Sequence, residues 1–265
     1  YYDRAYAYLM LGDTAQAIAD YSETVRLDPG NSGAYLERGD VYAHQGEYAR
    51  AITDYTEAIR LDPGASRAYN NRGQIYLAQG EYTRAIADYD EVIRLDPGYA
   101  SAYFDRGQAY YAKGNYTQAI ADFDEAIRLD PGNAGAQAYT NRGNAYSEQG
   151  EYEQAIEDFS RAIELDPNDV RPFWGRGWAY YQRGLYLNAI DDYDRAIEID
   201  PGIAMIYHDR GMAHAELHLY NQAISDYTRA IELDPTYAWS YNNRANVYYA
   251  RGEYERAIAD CDEAI

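Results

Sequence analysis

The sequence predicts an all-α chain built from tandem helix-turn-helix units. Three observations predict it. The dipeptide Asp-Pro recurs at 28–29, 62–63, 96–97, 130–131, 166–167, 200–201 and 234–235, with a spacing of 34 residues broken once by 36. Alanine, glycine and tyrosine recur in phase with it at helical intervals. A glycine punctuates the middle of most units. A period of this length marks stacked units, none of which can bury its apolar face alone.

The elements follow in order within one unit, Ser32–Ala65. Tyr35, Gly39 and Tyr42 have the i, i+4, i+7 spacing of one helical face and give the first helix. Gly46 ends that helix, because glycine enters the left-handed region without steric cost. Tyr48, Ala51, Ile52, Tyr55, Ala58 and Ile59 form the apolar stripe of a second helix. Asp62-Pro63 stops it, since proline lacks the N–H and restricts the residue before it. Aligned on proline, the chain is a single array of eight units, at about 1–31, 32–65, 66–99, 100–133, 136–169, 170–203, 204–237 and 238–265. The extra pair, 134–135, falls in the loop-like stretch Asn133–Ala136.

Composition alone points elsewhere. Leu, Ile, Val and Phe total 42 of 265 residues beside a net charge of −21, a flag for disorder. The flag is answered by 33 tyrosines, most of them in phase with the repeat, so tyrosine and alanine replace the missing aliphatics. No stretch approaches the ~20 apolar residues that span a bilayer. The acid excess argues against nucleic acid and anionic membrane, whose phosphates want clustered Lys and Arg, and Lys113 is the sole lysine. One cysteine, Cys261, excludes an internal disulfide framework and a multi-cysteine zinc site. The chain shows no initiator Met and no charged-then-apolar leader and reads as an excised segment. Its compartment is unassigned, with cytoplasmic as the default and extracellular compatible with a lone sequon at Asn115-Tyr-Thr.

The pattern resembles the tetratricopeptide repeat (TPR), W-x2-L-G-x2-Y, then A-x3-F, then P, over the whole chain. The first aromatic is Tyr1, Tyr35, Tyr69, Tyr103, Tyr139, Phe173, Tyr207 and Tyr241. The glycine is Gly39, Gly73, Gly107, Gly143, Gly177 and Gly211, with Ala5 and Ala245 in the end units. The alanine is Ala17, Ala51, Ala85, Ala119, Ala155, Ala189, Ala223 and Ala257. The resemblance implies a right-handed superhelical α-solenoid that acts by binding other proteins.

One departure is systematic. Arginine replaces the leucine before the glycine in every unit: Arg4, Arg38, Arg72, Arg106, Arg142, Arg176, Arg210 and Arg244. Asp20, Asp54, Asp88, Asp122, Asp158, Asp192, Asp226 and Asp260 recur on the second helix. The one-to-one match predicts a ladder of bidentate Arg–Asp bridges, in preference to a repeating charged binding track.

With the first framework aromatic counted as unit position 4, the resemblance implies a concave groove lined at positions 2, 5, 9 and 12. Twenty-six of the tyrosines occupy framework positions 4, 11, 17 and 24, and five of the other seven fall in the groove: Tyr2, Tyr6, Tyr111, Tyr181 and Tyr249. Phe104 and all three tryptophans do too. Trp174 and Trp178 lie one turn apart, with Arg171 before and Tyr181 after, and Trp239 stands two units on. His208, Asn242 and Asn246 complete the candidate ligand groove. Exposed tryptophan is a recurrent binding hot spot, although these rings would also serve by packing on neighbours. The family's clamp for acidic tails is not matched: the nearest set, Asn70, Gln74, Asp105, Gln137 and Asn141, has no positive charge. A basic, proline-rich or amphipathic peptide, or a sugar stacked on tryptophan, suits the groove better.

Enzyme signals are weak. His214 and His218 have i, i+4 spacing, yet the run is His-Ala-Glu-Leu-His and both replace framework residues, so a metal is not expected. Cys261 takes the place of Tyr55 and Tyr89 and is expected to be buried. The chain therefore reads as a non-catalytic interaction scaffold without a cofactor. The alternative is a structural array associating end to end into a filament, motivated by ends that lack a polar capping helix.

Overall fold

The computed structural model describes residues 1–132 and 135–264. Among them are sixteen α-helices and no strand. The chain divides into two compact units, Tyr1–Ala134 and Gly135–Ile265. The first holds α1 (Tyr2–Met10), α2 (Thr14–Leu27), α3 (Ser32–His44), α4 (Tyr48–Leu61), α5 (Ser66–Ala78), α6 (Tyr82–Leu95), α7 (Ala100–Ala112) and α8 (Tyr116–Leu129). The second holds α9 (Gly135–Glu148), α10 (Tyr152–Leu165), α11 (Val170–Gln182), α12 (Tyr186–Ile199), α13 (Ala204–Glu216), α14 (Tyr220–Leu233), α15 (Ala238–Ala250) and α16 (Tyr254–Glu263). Residue 134 of the expected insertion, with Asn133 beside it, lies outside the described residues.

Each odd-numbered helix packs on the even-numbered helix that follows it, and within each unit the even helix packs on the next odd one. The turn inside each hairpin is glycine at positive φ, 72° to 78° at Gly12, Gly46, Gly80, Gly114, Gly150, Gly184 and Gly252. The exception is the seventh hairpin, α13–α14, which turns at His218, whose φ is 58°, a left-handed value uncommon for a residue with a Cβ. At the far end of each hairpin the Asp-Pro aspartate accepts a backbone N–H two residues on, as Asp62 does from Gly64 at 2.9 Å.

The core is built from small residues against rings. Ala17, Ala51, Ala85, Ala119, Ala155, Ala189 and Ala223 are fully buried, and Tyr21, Tyr55, Tyr89, Phe123, Phe159, Tyr193 and Tyr227 are almost so. The framework glycine exists for these rings. A Cβ on Gly177 would stand 2.7 Å from Cε1 of Tyr193, closer than any real contact. Tyrosine thus supplies the burial that aliphatics supply in other cores, at a large area per residue.

The Arg–Asp ladder is present in all eight repeats. Arginine Nε donates to Asp Oδ2 at 2.6–3.1 Å and Nη2 to Oδ1 at 2.5–2.8 Å, always sixteen residues on. The third nitrogen reaches back to the preceding repeat: Arg38 to Ser22, Arg72 to Thr56, Arg106 to Asp90, Arg176 to Ser160, Arg210 to Asp194 and Arg244 to Thr228. Each of these six arginines therefore closes its own hairpin and fixes that hairpin on the one before. Burial pushes the carboxyls of Asp88, Asp122 and Asp192 upward against the pull of their arginines. Such pairs give register more than net stability, since desolvation offsets much of the attraction.

Cys261 departs from expectation and is exposed. Its equivalent Tyr227, on α14, is covered by α15, whereas among the described residues no later helix packs on α16.

Candidate functional site

The sequence singles out tryptophans on the first helices, and α11 carries two of them on one face. Asp169 caps this helix by accepting from the Arg171 N–H at 3.0 Å, and Pro172 sits in its first turn, where a missing N–H costs nothing. Trp174 and Trp178 follow at i, i+4. Trp178 is 36% exposed and stacks on Tyr181, with centroids 5.7 Å apart and planes 16° from parallel. Tyr181 in turn leans on Tyr186 at 5.5 Å.

Trp174 is half-buried, and its indole Nε1 donates to Asp209 Oδ2 on α13 at 2.7 Å. Asp209 is only 9% exposed. Burial pushes its carboxyl up to about 6, with the Trp174 hydrogen bond pulling the other way. Together Asn144, Arg171, Trp174, Gly175, Trp178 and Asp209 enclose a pocket of about 450 Å³. That size is ordinary for a site that takes one side chain or a small ligand.

Gly175 lines it without a side chain. The other repeats carry Asp, Glu or Asn at this position. Here a Cβ would fall 2.5 Å from Cζ of Phe159, so only glycine lets the ring lie beneath the backbone. Arg171 stands at the rim with its charge engaged by Asp169 at 2.6 Å.

The remaining candidates divide. Trp239, Asn242, Asn246 and Tyr249 are exposed on α15, Trp239 and Tyr249 by 67% and 68%, but none lines the tryptophan pocket. Asn246 and Tyr181 instead edge a second pocket of about 270 Å³ between α13 and α15. His208 is not on the surface. It is 4% exposed, within 3.0 Å of Ser240 Oγ and 3.4 Å of Asn243 Nδ2, and burial draws its pKa down to about 4. A neutral ring that ties α13 to α15 explains it. In the first unit, Phe104 packs half-buried on Phe123 at 5.9 Å, and Tyr111 packs on Tyr116 at 5.4 Å.

The two histidines of interest have separate partners. His214 Nδ1 lies 2.8 Å from Asp226 Oδ2, inside the ladder, and His218 Nδ1 lies 3.0 Å from the Tyr220 hydroxyl. Among the described residues no group of three His, Cys, Asp or Glu side chains is placed to hold a metal, and no helix is long and apolar enough to cross a membrane.

Comparison with known proteins accounts for the framework. A tetratricopeptide repeat model matches residues 2–66, 36–100 and 70–134, and a second matches 136–169 and 175–203. Two further repeat models match 220–252 and 240–265. The chain is a tetratricopeptide repeat protein. Among solved structures it is similar to YrrB, a TPR protein with an unusual peptide-binding site, at 25% identity and a TM-score of 0.59 over 70% of this chain and 95% of that one. MamA is similar at 28% identity and a TM-score of 0.61, over 64% and 92% of the two chains. The C-terminal part of a TPR protein from Cytophaga hutchinsonii shares the fold at 22% identity and a TM-score of 0.72, over 92% and 99%. No curated protein matches the chain.

Sequence reasoning found the tryptophans of this TPR pocket but not Asn144, Gly175 or Asp209. A signal for the last two was present: position 6 is polar in every repeat except where Gly175 stands, and Asp209 is the position-6 acid of the following repeat.

Proposed function

We propose that this TPR protein is a non-catalytic interaction scaffold, and that its second unit grips a partner polypeptide through the Trp174–Trp178 pocket. One observation carries the reading: an exposed indole, Trp178, and a half-buried one, Trp174, line a pocket together with a buried carboxylate, Asp209, and a glycine, Gly175. Indole faces attract cations through the ring quadrupole, and a carboxylate at the floor adds charge complementarity. A lysine or arginine side chain on a basic or amphipathic segment fits this chemistry. An acidic tail does not, because the one nearby cation, Arg171, is already paired with Asp169. Peptide binding by YrrB, a relative at 25% identity, supports the same use of the fold.

The test is selection of a displayed random-peptide library on the intact chain, followed by capture on Trp178→Ala and Asp209→Asn. The reading expects recovered peptides rich in Lys or Arg that lose capture on both variants. Peptides without basic residues, or capture unchanged by both substitutions, would sink it. Sedimentation of the free chain at the same concentrations separates this from the second role read in the sequence, end-to-end self-association.

A further inference from the structure

The first unit contains a pocket that the tryptophan site does not explain. It lies between α3, α4 and α5, measures about 430 Å³, and is walled by Ala43, Tyr48, Tyr55, Asn71, Ile75 and Ala78. One small residue stands in its wall. Ala43 occupies unit position 12, and three other repeats carry tyrosine there. In each of those the position-12 ring leans on the position-17 tyrosine at the start of the next helix. Tyr111 meets Tyr116 at 5.4 Å, Tyr181 meets Tyr186 at 5.5 Å and Tyr249 meets Tyr254 at 5.5 Å, with planes 57° to 61° apart. With alanine at residue 43 no such ring arrives on Tyr48, the position-17 residue.

The second unit repeats the relationship. Its alanine at position 12 is Ala215, and beside it lies the pocket of about 270 Å³ walled by Tyr220, Tyr227, Asn243 and Val247. Here the His218 ring leans on Tyr220 at 5.7 Å and covers part of the wall. Two alanines at one register coincide with two slots of the same make.

We propose that the Ala43 slot receives the aromatic side chain of a partner polypeptide, which takes the place that Tyr111 and Tyr181 fill from within the chain. The occupant is argued from those rings: the same backbone frame accepts a tyrosine against a position-17 tyrosine wherever the chain supplies one. The carboxylate and guanidinium that line the floor, Asp40 and Arg67, are paired with each other. Asp40 accepts the Tyr55 hydroxyl at 2.7 Å and Asn71 Nδ2 at 2.7 Å, and its other oxygen is paired with Arg67. Beside the His44 and Gln74 side chains, what remains open is ring surface and methyl groups, which favour an aromatic partner by area and by edge-to-face contact. The inference is independent of the tryptophan pocket, with which the slot shares no residue.

The experiment is an NMR titration of the intact, isotopically labelled chain with N-acetyltyrosinamide, and separately with N-acetylleucinamide. Saturable shifts at the amides of Ala43, Tyr48 and Ala78 are expected for the tyrosine probe, with about tenfold weaker affinity for the leucine probe. Ala43→Tyr fills the slot with the residue that sister repeats already tolerate, so it should abolish the response while the helical circular dichroism is kept. Tyr48→Ala, which removes the wall, should weaken binding about tenfold as a second variant. The proposal is overturned by absent shifts, by equal responses to the two probes, or by a response that survives Ala43→Tyr.

Discussion

The indole of Trp174 donates to the buried carboxylate of Asp209 at 2.7 Å, joining consecutive repeats at the floor of the tryptophan pocket. Trp174 is therefore both a wall of the site and the hydrogen-bond partner that its acid depends on. Trp174→Phe keeps a ring but leaves the carboxylate without that donor, and should cost about 1–3 kcal/mol of stability. Asp209→Asn keeps an acceptor oxygen and removes the buried charge, so at pH 7 it should cost nothing or stabilise. Urea unfolding of the two variants checks the pair. Equal destabilisation by both would show that the hydrogen bond is incidental.

The ladder makes a second prediction. Asp122 is held by two bonds from Arg106, whose third nitrogen binds Asp90 at 2.6 Å. Asp122→Asn leaves the half-buried guanidinium with Asp90 as its remaining carboxylate partner and should lower stability by about 1–3 kcal/mol. Glu57→Gln, which breaks the exposed pair with Arg60, should leave stability essentially unchanged. Thermal melts of the two variants should differ plainly, and coincident melts would remove the ladder from the account of stability.

Asp105 supplies a pH dependence. Burial raises its carboxyl from 3.8 to about 6, with only a long bond from Gln74 at 3.4 Å in opposition. Because the folded value lies above the unfolded one, the folded chain holds an extra proton between them. Its stability should then fall as pH rises from about 4 to 6, with the full cost, on the order of 2 kcal/mol, present above 6. Asp105→Asn places there the residue that Asn71, Asn141 and Asn243 provide in other repeats. It should raise the urea midpoint at pH 7.5 and leave it unchanged at pH 4. A variant less stable at pH 7.5 would contradict the sign.

At Gly177 the Tyr193 ring leaves no room for a Cβ, although the first repeat pairs Ala5 with Tyr21. Gly177→Ala would press a methyl carbon on the Tyr193 ring at 2.7 Å and should cost about 1–3 kcal/mol. Tyr193→Cys, which copies the Ala245 and Cys261 pairing of the last repeat, should make the alanine tolerable in the double variant. A double-mutant cycle reads this coupling directly, and strict additivity of the two changes would rule it out.

The repeat, the hairpins and the ladder were legible in the residues because each is written eight times in phase. Register then converts a sequence offset into a contact, as the constant sixteen-residue step from arginine to aspartate does. The pocket was only half legible. Trp174 and Trp178 announce themselves by type, but Gly175 and Asp209 matter through what neighbouring repeats place against them, the Phe159 ring beneath one and the Trp174 indole beside the other. His208 misled for the same reason: its position suggests a lining residue, and the bonds to Ser240 and Asn243 that draw it inward come from the next repeat. Cys261 misled in reverse, since burial at its position depends on a further helix packing there.

On the proposed reading the second unit binds a cationic side chain beside Trp174 and Trp178. The most direct test is the affinity of one lysine-bearing peptide from the displayed library for wild type and Trp178→Ala, measured calorimetrically with circular dichroism matched. The account predicts at least about a tenfold loss for the variant, equivalent to about 1.4 kcal/mol. Equal affinity for the two chains would contradict it.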